Sequence, residues 1–287
     1  MSRMVRIDPR PLVLMICALA VPATLHVAPA EAADLSAQEA TQLVGYDHPD
    51  MSRFGRIRQT LSEWEVVIGG GAIVKPDYEG SDEFSVSPVP WVSATYNGWL
   101  KVDPTGLTVE VYEKGPFSLS TKIGYEGGRE EDDSDALRGL GDVDGGAAFE
   151  GRAAFEYGPA EIYASVEKTA GGSDGLLGVA GIELTHAFAP ALILGVGASA
   201  TFADENHMEA YFGVDAAQAV RSGYAPYQAE AGLKRVDLTA SLTVGLNEHW
   251  FVRGKGGVGL LVGDAADSPI VKEEVQTSGM LLLGYRF

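Results

Sequence analysis

The residues of this chain that could perform acid–base chemistry are its histidines and the carboxylates beside them. His207 has Glu205 and Glu209 as near neighbours, and such a histidine can transfer protons when a nucleophile or a water molecule is held beside it. No serine-centred motif accompanies it. Because acid–base groups alone do not form an active site, we predict a non-enzymatic protein without catalytic residues. Three further histidines follow residue 32: His48, His186 and His249.

The densest group of oxygen ligands is the acidic run EEDD at residues 130–133, which Asp135, Asp142 and Asp144 follow. Carboxylate oxygens are the ligands that Ca²⁺ and Mg²⁺ prefer, but the spacing is not that of a calcium-binding loop. A run of like charges is usually a solvated surface. We therefore predict no dedicated metal site. A second interpretation, in which divalent ions bridge this run to lipid phosphates, stays open.

The glycine-rich segment at residues 254–259, GKGGVG, matches the G-x-G-x-x-G pattern of dinucleotide-binding proteins. That pattern requires a strand-to-helix turn, whereas this segment lies within an alternating apolar stretch. Glycines in such a stretch are typical of a strongly curved, closed sheet. We therefore predict that the protein uses no nucleotide and no other cofactor.

The N-terminal residues have the pattern of an export signal. Three arginines precede the apolar run at residues 12–21, and small residues suited to cleavage follow at 28–32. The apolar run is too short to span a bilayer as a helix. The predicted organisation is a cleaved signal peptide at residues 1–32, a lead-in segment at 33–60 and one folded domain at 61–287.

Net charge and cysteine content exclude further classes of function and of binding site. The formal net charge is −19, and it becomes −20 when residues 1–32 are removed, because they carry three arginines and two carboxylates. A chain this acidic does not bind nucleic acid by neutralising phosphates. Cys17 is the only cysteine and lies in the predicted signal, so the mature chain has neither a disulfide nor a thiolate ligand.

After residue 60 the main pattern is an alternation of apolar and other residues with period two. Near the end of the chain, Leu281, Leu283, Tyr285 and Phe287 fall on one face. Such alternation predicts strands with one face toward an apolar medium. No run reaches the roughly 18 apolar residues that a spanning helix needs. We count twelve strands, with ten or fourteen as alternatives, and predict that residues 61–287 form an all-β transmembrane antiparallel up-and-down barrel.

The links between the predicted strands alternate in length. Links such as Asn97-Gly98 are short hairpin turns, whereas the links at 126–145 and 203–235 are long. Bacterial outer-membrane barrels have short periplasmic turns and long external loops. The pattern predicts a Gram-negative outer-membrane protein with both barrel ends of the chain on the periplasmic side.

The sequence also predicts a short helix in one of the long links and a girdle of aromatic residues at the ends of the strands. Asp215 is a suitable N-cap for a short helix at residues 215–221, which could act as a plug, as a lid or as simple loop packing. Aromatic residues near strand ends predict an interfacial girdle. These aromatic residues are Trp64, Trp91, Trp99, Trp250, Tyr96, Tyr112, Tyr125, Tyr157, Tyr285 and Phe287.

Several separated motifs resemble the MipA/OmpV family of outer-membrane proteins. The resemblance runs in order from about residue 60 to residue 287 and ends in the GYRF of residues 284–287. Its main blocks lie in the predicted external loops and at strand ends. The blocks are GGG at 69–71, PDYEGSD at 76–82, RGLGDVDG at 138–145, MEAYFGV at 208–214 and GDAADSPIV at 263–271.

The resemblance implies a non-enzymatic scaffold that links the outer membrane to murein-synthesising and murein-cleaving enzymes. The partners that it implies are outer-membrane lipid, lipopolysaccharide and a periplasmic murein hydrolase and synthase. Two alternatives stay open at this stage, a narrow porin-like channel for small solutes and a surface adhesin. The blocks concentrate on the predicted external side, which fits poorly with a purely periplasmic docking role.

Overall fold

The computed structural model describes residues 64–287, which form a closed antiparallel β-barrel of twelve strands. The prediction of an all-β up-and-down barrel is therefore confirmed, including the strand count. The predicted signal peptide and lead-in segment lie outside the described residues. The strands are β1 Trp64–Pro76, β2 Phe84–Tyr96, β3 Leu100–Asp103, β4 Gly106–Lys114, β5 Phe117–Glu126, β6 Gly146–Tyr157, β7 Ala160–Gly171, β8 Leu176–Ala189, β9 Leu192–Ala203, β10 Gly232–Gly245, β11 Trp250–Leu261 and β12 Val275–Arg286.

Each strand pairs with its neighbours in sequence, and the pairing of β1 with β12 closes the barrel. The closing register runs from Val67 opposite Arg286 to Val74 opposite Gly279. The alternation of β12 matches this arrangement, since Leu281 and Leu283 are exposed on the outer wall while Met280 and Leu282 are buried inside. The sheet thus has an apolar outer face, as a membrane-spanning barrel requires.

The links define two different ends of the barrel. At the turn end the links are short, at residues 97–99, 115–116, 158–159, 190–191 and 246–249. At the loop end they include the long loops at 127–145, 204–231 and 262–274, with shorter links at 77–83, 104–105 and 172–175. The loop at 204–231 contains two helices, α1 Glu205–Phe212 and α2 Ala216–Ser222. The predicted short helix at this place is therefore confirmed. Among residues 64–287, no helix combines the length and the apolar character needed to cross a membrane.

The strand bounds differ from the prediction mainly at β10. Alternation predicts a start at residue 236, whereas the strand begins at Gly232. The register with β9 shifts between Leu233 and Arg235, so that Lys234 is an extra residue in a β-bulge. A bulge interrupts the period of two, which is why the alternation begins only after it.

Aromatic side chains gather at the turn end of the barrel wall. The rings of Trp64 and Tyr96 lie 4.9 Å apart, and Tyr285 lies 5.1 Å from Trp250 and 4.9 Å from Phe287. This arrangement agrees with the predicted girdle at this rim. Trp91 is different, because it packs inside the barrel against a buried apolar cluster.

Candidate functional site

Four loops at the loop end pack together into one cap, formed by residues 77–83, 127–145, 204–231 and 262–274. Its centre is a group of buried apolar side chains to which all four loops contribute. Burial of this much apolar surface between loops stabilises a single arrangement of them. The group consists of Tyr78, Leu137, Leu140, Val214 and Ile270, each at most 3% exposed.

A second buried cluster anchors the cap to the rim of the barrel. Met208 and Phe212 of α1 are fully or almost fully buried and pack against strand residues such as Leu177 and Leu261. Ala265, from the loop at 262–274, completes the contact and has no exposed surface. The apolar face of α1 therefore fixes this helix against the barrel wall.

Hydrogen bonds from side chains to backbone carbonyls tie the cap loops to one another. Tyr78 Oη donates to the carbonyl of Ile270 at 2.9 Å, and Arg129 Nη1 donates to that of Tyr211 at 2.8 Å. Ser268 Oγ donates to the carbonyl of Phe212 at 2.6 Å. Such bonds satisfy loop carbonyls that burial removes from water.

Capping residues in the sequence determine where the two helices of the cap begin and where α2 ends. The Asp204 side chain accepts the backbone N–H of His207 and begins α1. The Asp215 side chain accepts the N–H groups of Ala217 and Gln218 and begins α2. Gly223 ends α2 with a φ of 81°, which other residues adopt at a cost.

Beneath the cap lies a buried polar cluster that joins loop 77–83, α1 and β10. Its central ion pair is Lys234 with Glu79, whose Nζ and Oε2 atoms are 2.9 Å apart. Arg235 Nη1 lies 2.9 Å from the other oxygen of the same carboxylate. The bulge in β10 explains why two consecutive residues can both reach one carboxylate on the inner side of the wall.

His207 connects this ion pair to the end of β5. Its Nε2 lies 3.2 Å from Lys234 Nζ, and its Nδ1 lies 3.7 Å from Glu126 Oε1, which exceeds hydrogen-bond distance. Because an ammonium group can only donate, this geometry assigns the imidazole proton to Nδ1, on the side of Glu126. The hydroxyl of Ser173 donates to the carboxylate of Glu126 at 2.9 Å.

The electrostatics of the cluster follow from burial and from its two cations. Burial, and then the charge of Lys234, lower the pKa of His207 below its usual value of 6.5. Burial alone would raise the pKa of Glu79, but Lys234 and Arg235 outweigh it and lower that pKa to about 2. At neutral pH the cluster therefore holds a neutral imidazole, an ionised Glu79 and its paired cations.

This arrangement holds the cap in place and keeps its ionisable groups away from solvent. The exposed fraction of the side chain is 2% for His207 and 1% for Lys234, so a substrate in solution cannot reach either one. The Ser173 hydroxyl is engaged with Glu126. The cluster therefore behaves as a latch between the loop at 77–83, α1 and β10.

The carboxylates that flank His207 in the sequence are not its partners in space. Glu205 is exposed, and Glu209 accepts the backbone N–H of Ala229. Residues two positions apart on a helix do not face each other. The grouping of His207 with Glu205 and Glu209, which rested on their proximity in the sequence, was therefore wrong. Sequence reasoning also missed Lys234, whose signal is the pair of basic residues at 234 and 235, near the start of β10. His186 and His249 lie at the turn end, and His48 is outside the described residues.

The acidic run at residues 130–133 mostly supports local backbone structure. Glu131 Oε2 accepts the N–H groups of Gly139 and Gly141, and Asp142 accepts the N–H of Glu131. Asp133 accepts the N–H of Glu130. In the part of the chain that the structure describes, no three His, Cys, Asp or Glu residues are placed to hold a metal ion.

The glycines at residues 254–259 lie in the middle of β11, paired with β10 and β12. Their interpretation as barrel glycines is confirmed. The lumen wall carries charged residues on the other side of the barrel. Arg152 of β6 forms an ion pair with Glu161 and lies 4.5 Å above the ring of Tyr163.

Comparisons with solved structures return outer-membrane barrels at low identity. An outer membrane channel from Pseudomonas putida F1 is 11% identical, with 79% of this chain and 97% of that chain covered and a TM-score of 0.43. Salmonella typhi OmpF in complex with daunomycin is 10% identical, with 78% and 97% covered and a TM-score of 0.38. OmpT of Vibrio cholerae is 8% identical, with 80% and 99% covered and a TM-score of 0.34.

No curated protein matches the chain. A family model described as MltA-interacting protein MipA matches residues 68–287, which include almost all of the barrel and every loop of the cap. The expectation from the sequence motifs is confirmed at the level of the family and of its outer-membrane barrel fold. The chain belongs to the family of the MltA-interacting protein MipA.

Proposed function

We propose that this protein is a non-enzymatic scaffold of the Gram-negative outer membrane, which holds the murein-cleaving enzyme MltA and a murein synthase at the membrane. The observation that carries the proposal is the family match over residues 68–287, since the family's own description is that of an MltA-interacting protein. Export through the predicted signal peptide would bring the chain to this place.

The cap supports a binding role over transport. Its buried clusters and loop-to-loop hydrogen bonds pack four loops into one unit at the loop end of the barrel. An open pore of the general-porin kind needs a water-filled passage through both ends. The porin-like alternative therefore has less support than a scaffold.

The docking surface would be the turn end, which faces the periplasm in the proposed orientation. Glu113 and Glu248 are exposed at this end, as are the aromatic residues Tyr157 and Phe188. Exposed aromatic residues together with charges at a rim are common in protein interfaces. The partner would contact this surface without entering the barrel.

The test is retention of purified MltA and of a bifunctional murein synthase on the barrel in detergent micelles. We expect enrichment over an unrelated outer-membrane barrel. The double variant Glu113→Lys, Glu248→Lys should weaken retention by reversing charge at the turn end.

The matched control is Asp132→Lys, Glu205→Lys, which makes the same charge change on exposed residues at the loop end. It should bind as the unchanged protein does. Equal loss in both double variants would indicate non-specific charge attraction. Retention no greater than that of the unrelated barrel would refute the scaffold role.

A further inference from the structure

The barrel wall is incomplete beside β2. This strand pairs with β1 along its whole length, from Phe84 to Tyr96, but with β3 only through residues 94–96. Within residues 64–287, no strand lies beside residues 84–93 on the β3 side. At about 3.3 Å per residue, this unpaired edge is roughly 30 Å long.

The gap has a defined frame, and we call it the window. Its floor is the turn between the short strands β3 and β4, where Thr105 is buried and packs beside Gly124 of β5. Its far side is the top of β5 above Ile123, the last residue there that the register pairs with β4. The loop at 127–145 spans its top, since Ser134 Oγ donates to Glu83 Oε2 at 3.3 Å.

The window faces the apolar medium around the barrel. Val86 and Val92, on the outer face of the unpaired edge, are 70% and 56% exposed, and Ile123 on the far side is 51% exposed. Open sheet edges are not left uncovered in hydrocarbon, because unpaired backbone groups are strongly unfavourable there. Some group with polar atoms must therefore cover this edge.

Two prolines determine which group can cover it. In an antiparallel pair every second residue directs its backbone groups away from the partner strand. Pro88 and Pro90 fall on this set, because the ladder with β1 continues through both although neither has an N–H to donate. The middle of the edge thus offers carbonyl acceptors only. Such an edge opposes the addition of another β-strand, from this chain or a second copy, and accepts a donor.

The inner side of the window is apolar around Val89 and Trp91, whereas Ser85, Ser87 and Ser93 occupy the other inward positions of the edge. Val89, on the inner face of the unpaired edge, packs with Ile73 of β1 and Met280 of β12, and Trp91 covers this cluster. Most inward positions elsewhere on the wall are polar or charged, such as Glu150, Arg152 and Ser165. An apolar inner patch behind a lipid-facing gap fits a hydrocarbon chain.

We propose that the window is a lateral portal. It admits the acyl chain of a membrane lipid whose head group carries hydrogen-bond donors, from the surrounding bilayer to Trp91, which is half-buried and covers the buried cluster of Ile73, Val89 and Met280. The donors of the head group bind the free carbonyls of the edge around Pro88 and Pro90. This is a binding site separate from the turn end, and it does not depend on the scaffold role.

The test is quenching of Trp91 fluorescence by brominated lipid. The parent variant is Trp64→Phe, Trp99→Phe, Trp250→Phe, which leaves Trp91 alone. The protein is reconstituted into phosphatidylethanolamine–phosphatidylglycerol vesicles, in which the ethanolamine lipid carries bromine at mid-chain. We expect strong quenching, because the chain reaches the inner patch through the window.

Two variants in the same background, both with Trp91→Phe, calibrate the signal. Val92→Trp places the reporter on the outer face and gives the value for full lipid contact. Tyr163→Trp places it on the inner face of β7, which is paired on both sides, and Ser165→Trp replaces it if that variant does not fold.

We expect quenching of Trp91 near the Val92→Trp value and several times the Tyr163→Trp value. Quenching of Trp91 no greater than that of Tyr163→Trp would overturn the portal. Strong and equal quenching of both would overturn it as well, since lipid would then reach the lumen without the window.

Discussion

His207 and its neighbours illustrate how burial changes the role of a reactive residue type. The sequence places this histidine among carboxylates, which is a pattern of acid–base catalysis. In the folded chain it lies between Lys234 and Glu126, under the cap and away from solvent. There, its uncharged imidazole lies between a buried cation and a buried carboxylate.

The pair formed by Glu79 and Lys234 leads to a prediction about pH. The pKa of Glu79 is lowered to about 2, so its contribution to cap stability is complete above about pH 4.5 and is lost as the pH falls toward 2. The pKa of His207 is also lowered, so its protonation opposes closure progressively below pH 6.5. Hydrogen exchange of the cap amides, corrected for the intrinsic rate, should reveal both steps.

Glu79→Gln should reduce the step below pH 4.5, in which the buried carboxylate of Glu126 also takes part, and keep the step below pH 6.5. At neutral pH it should weaken the closed cap by roughly 3–5 kcal/mol, because Lys234 stays buried without its carboxylate. The control is Glu230→Gln, at an exposed residue of the cap loop at 204–231, which should exchange as the unchanged protein does. An unaltered pH profile in Glu79→Gln would contradict the latch.

At the scale of elements, the closure of the barrel depends on two glycines of β1 that face inward. A Cβ atom at Gly71 would lie 2.0 Å from the carbonyl oxygen of Leu281, and one at Gly69 would lie 2.7 Å from that of Leu283. Backbone atoms of β12 cannot move aside as a side chain does. Gly71→Ala should therefore destabilise the barrel by roughly 1–3 kcal/mol or more, measured by urea unfolding in detergent.

The adjacent Gly70 provides the matched comparison. It faces outward, and the nearest atom to a Cβ there would be a carbonyl oxygen at 3.9 Å, an ordinary contact. Gly70→Ala should unfold at the same urea concentration as the unchanged barrel. If both substitutions behaved alike, close approach of β1 and β12 would not be what selects glycine at residue 71.

The strands could be predicted from sequence because each carries its own period of two, as in β12, where Leu281 and Leu283 face outward. The predicted start of β10 was wrong because a bulge at Lys234 shifts that period. The cap could not be predicted in detail, since its contacts join residues far apart, such as Tyr78 and Ile270. No local pattern encodes which loop meets which.

At the scale of the whole molecule, the cap accounts for the position of the family-like motifs. The blocks at residues 76–82, 138–145, 208–214 and 263–271 supply Tyr78, Leu140, Met208, Phe212, Val214 and Ile270 to its buried clusters. Their concentration at the loop end thus reflects packing of the cap, so it does not conflict with a partner bound at the turn end.

If the cap closes the barrel, removing its helical loop should open a path for ions. Ala203 and Gly232 are paired across β9 and β10, so Asn-Gly, the turn found at residues 97–98, can replace residues 204–231. We expect this variant to conduct in planar bilayers, whereas the unchanged protein stays nearly silent, because the variant lacks Met208, Phe212 and Val214 of the packed clusters. Val220→Ser, on the exposed side of α2, should stay silent. Heat-dependent gel migration checks that each variant is a folded barrel. Equal conductance of the shortened and the unchanged barrel would show that the loop at 204–231 is not the barrier.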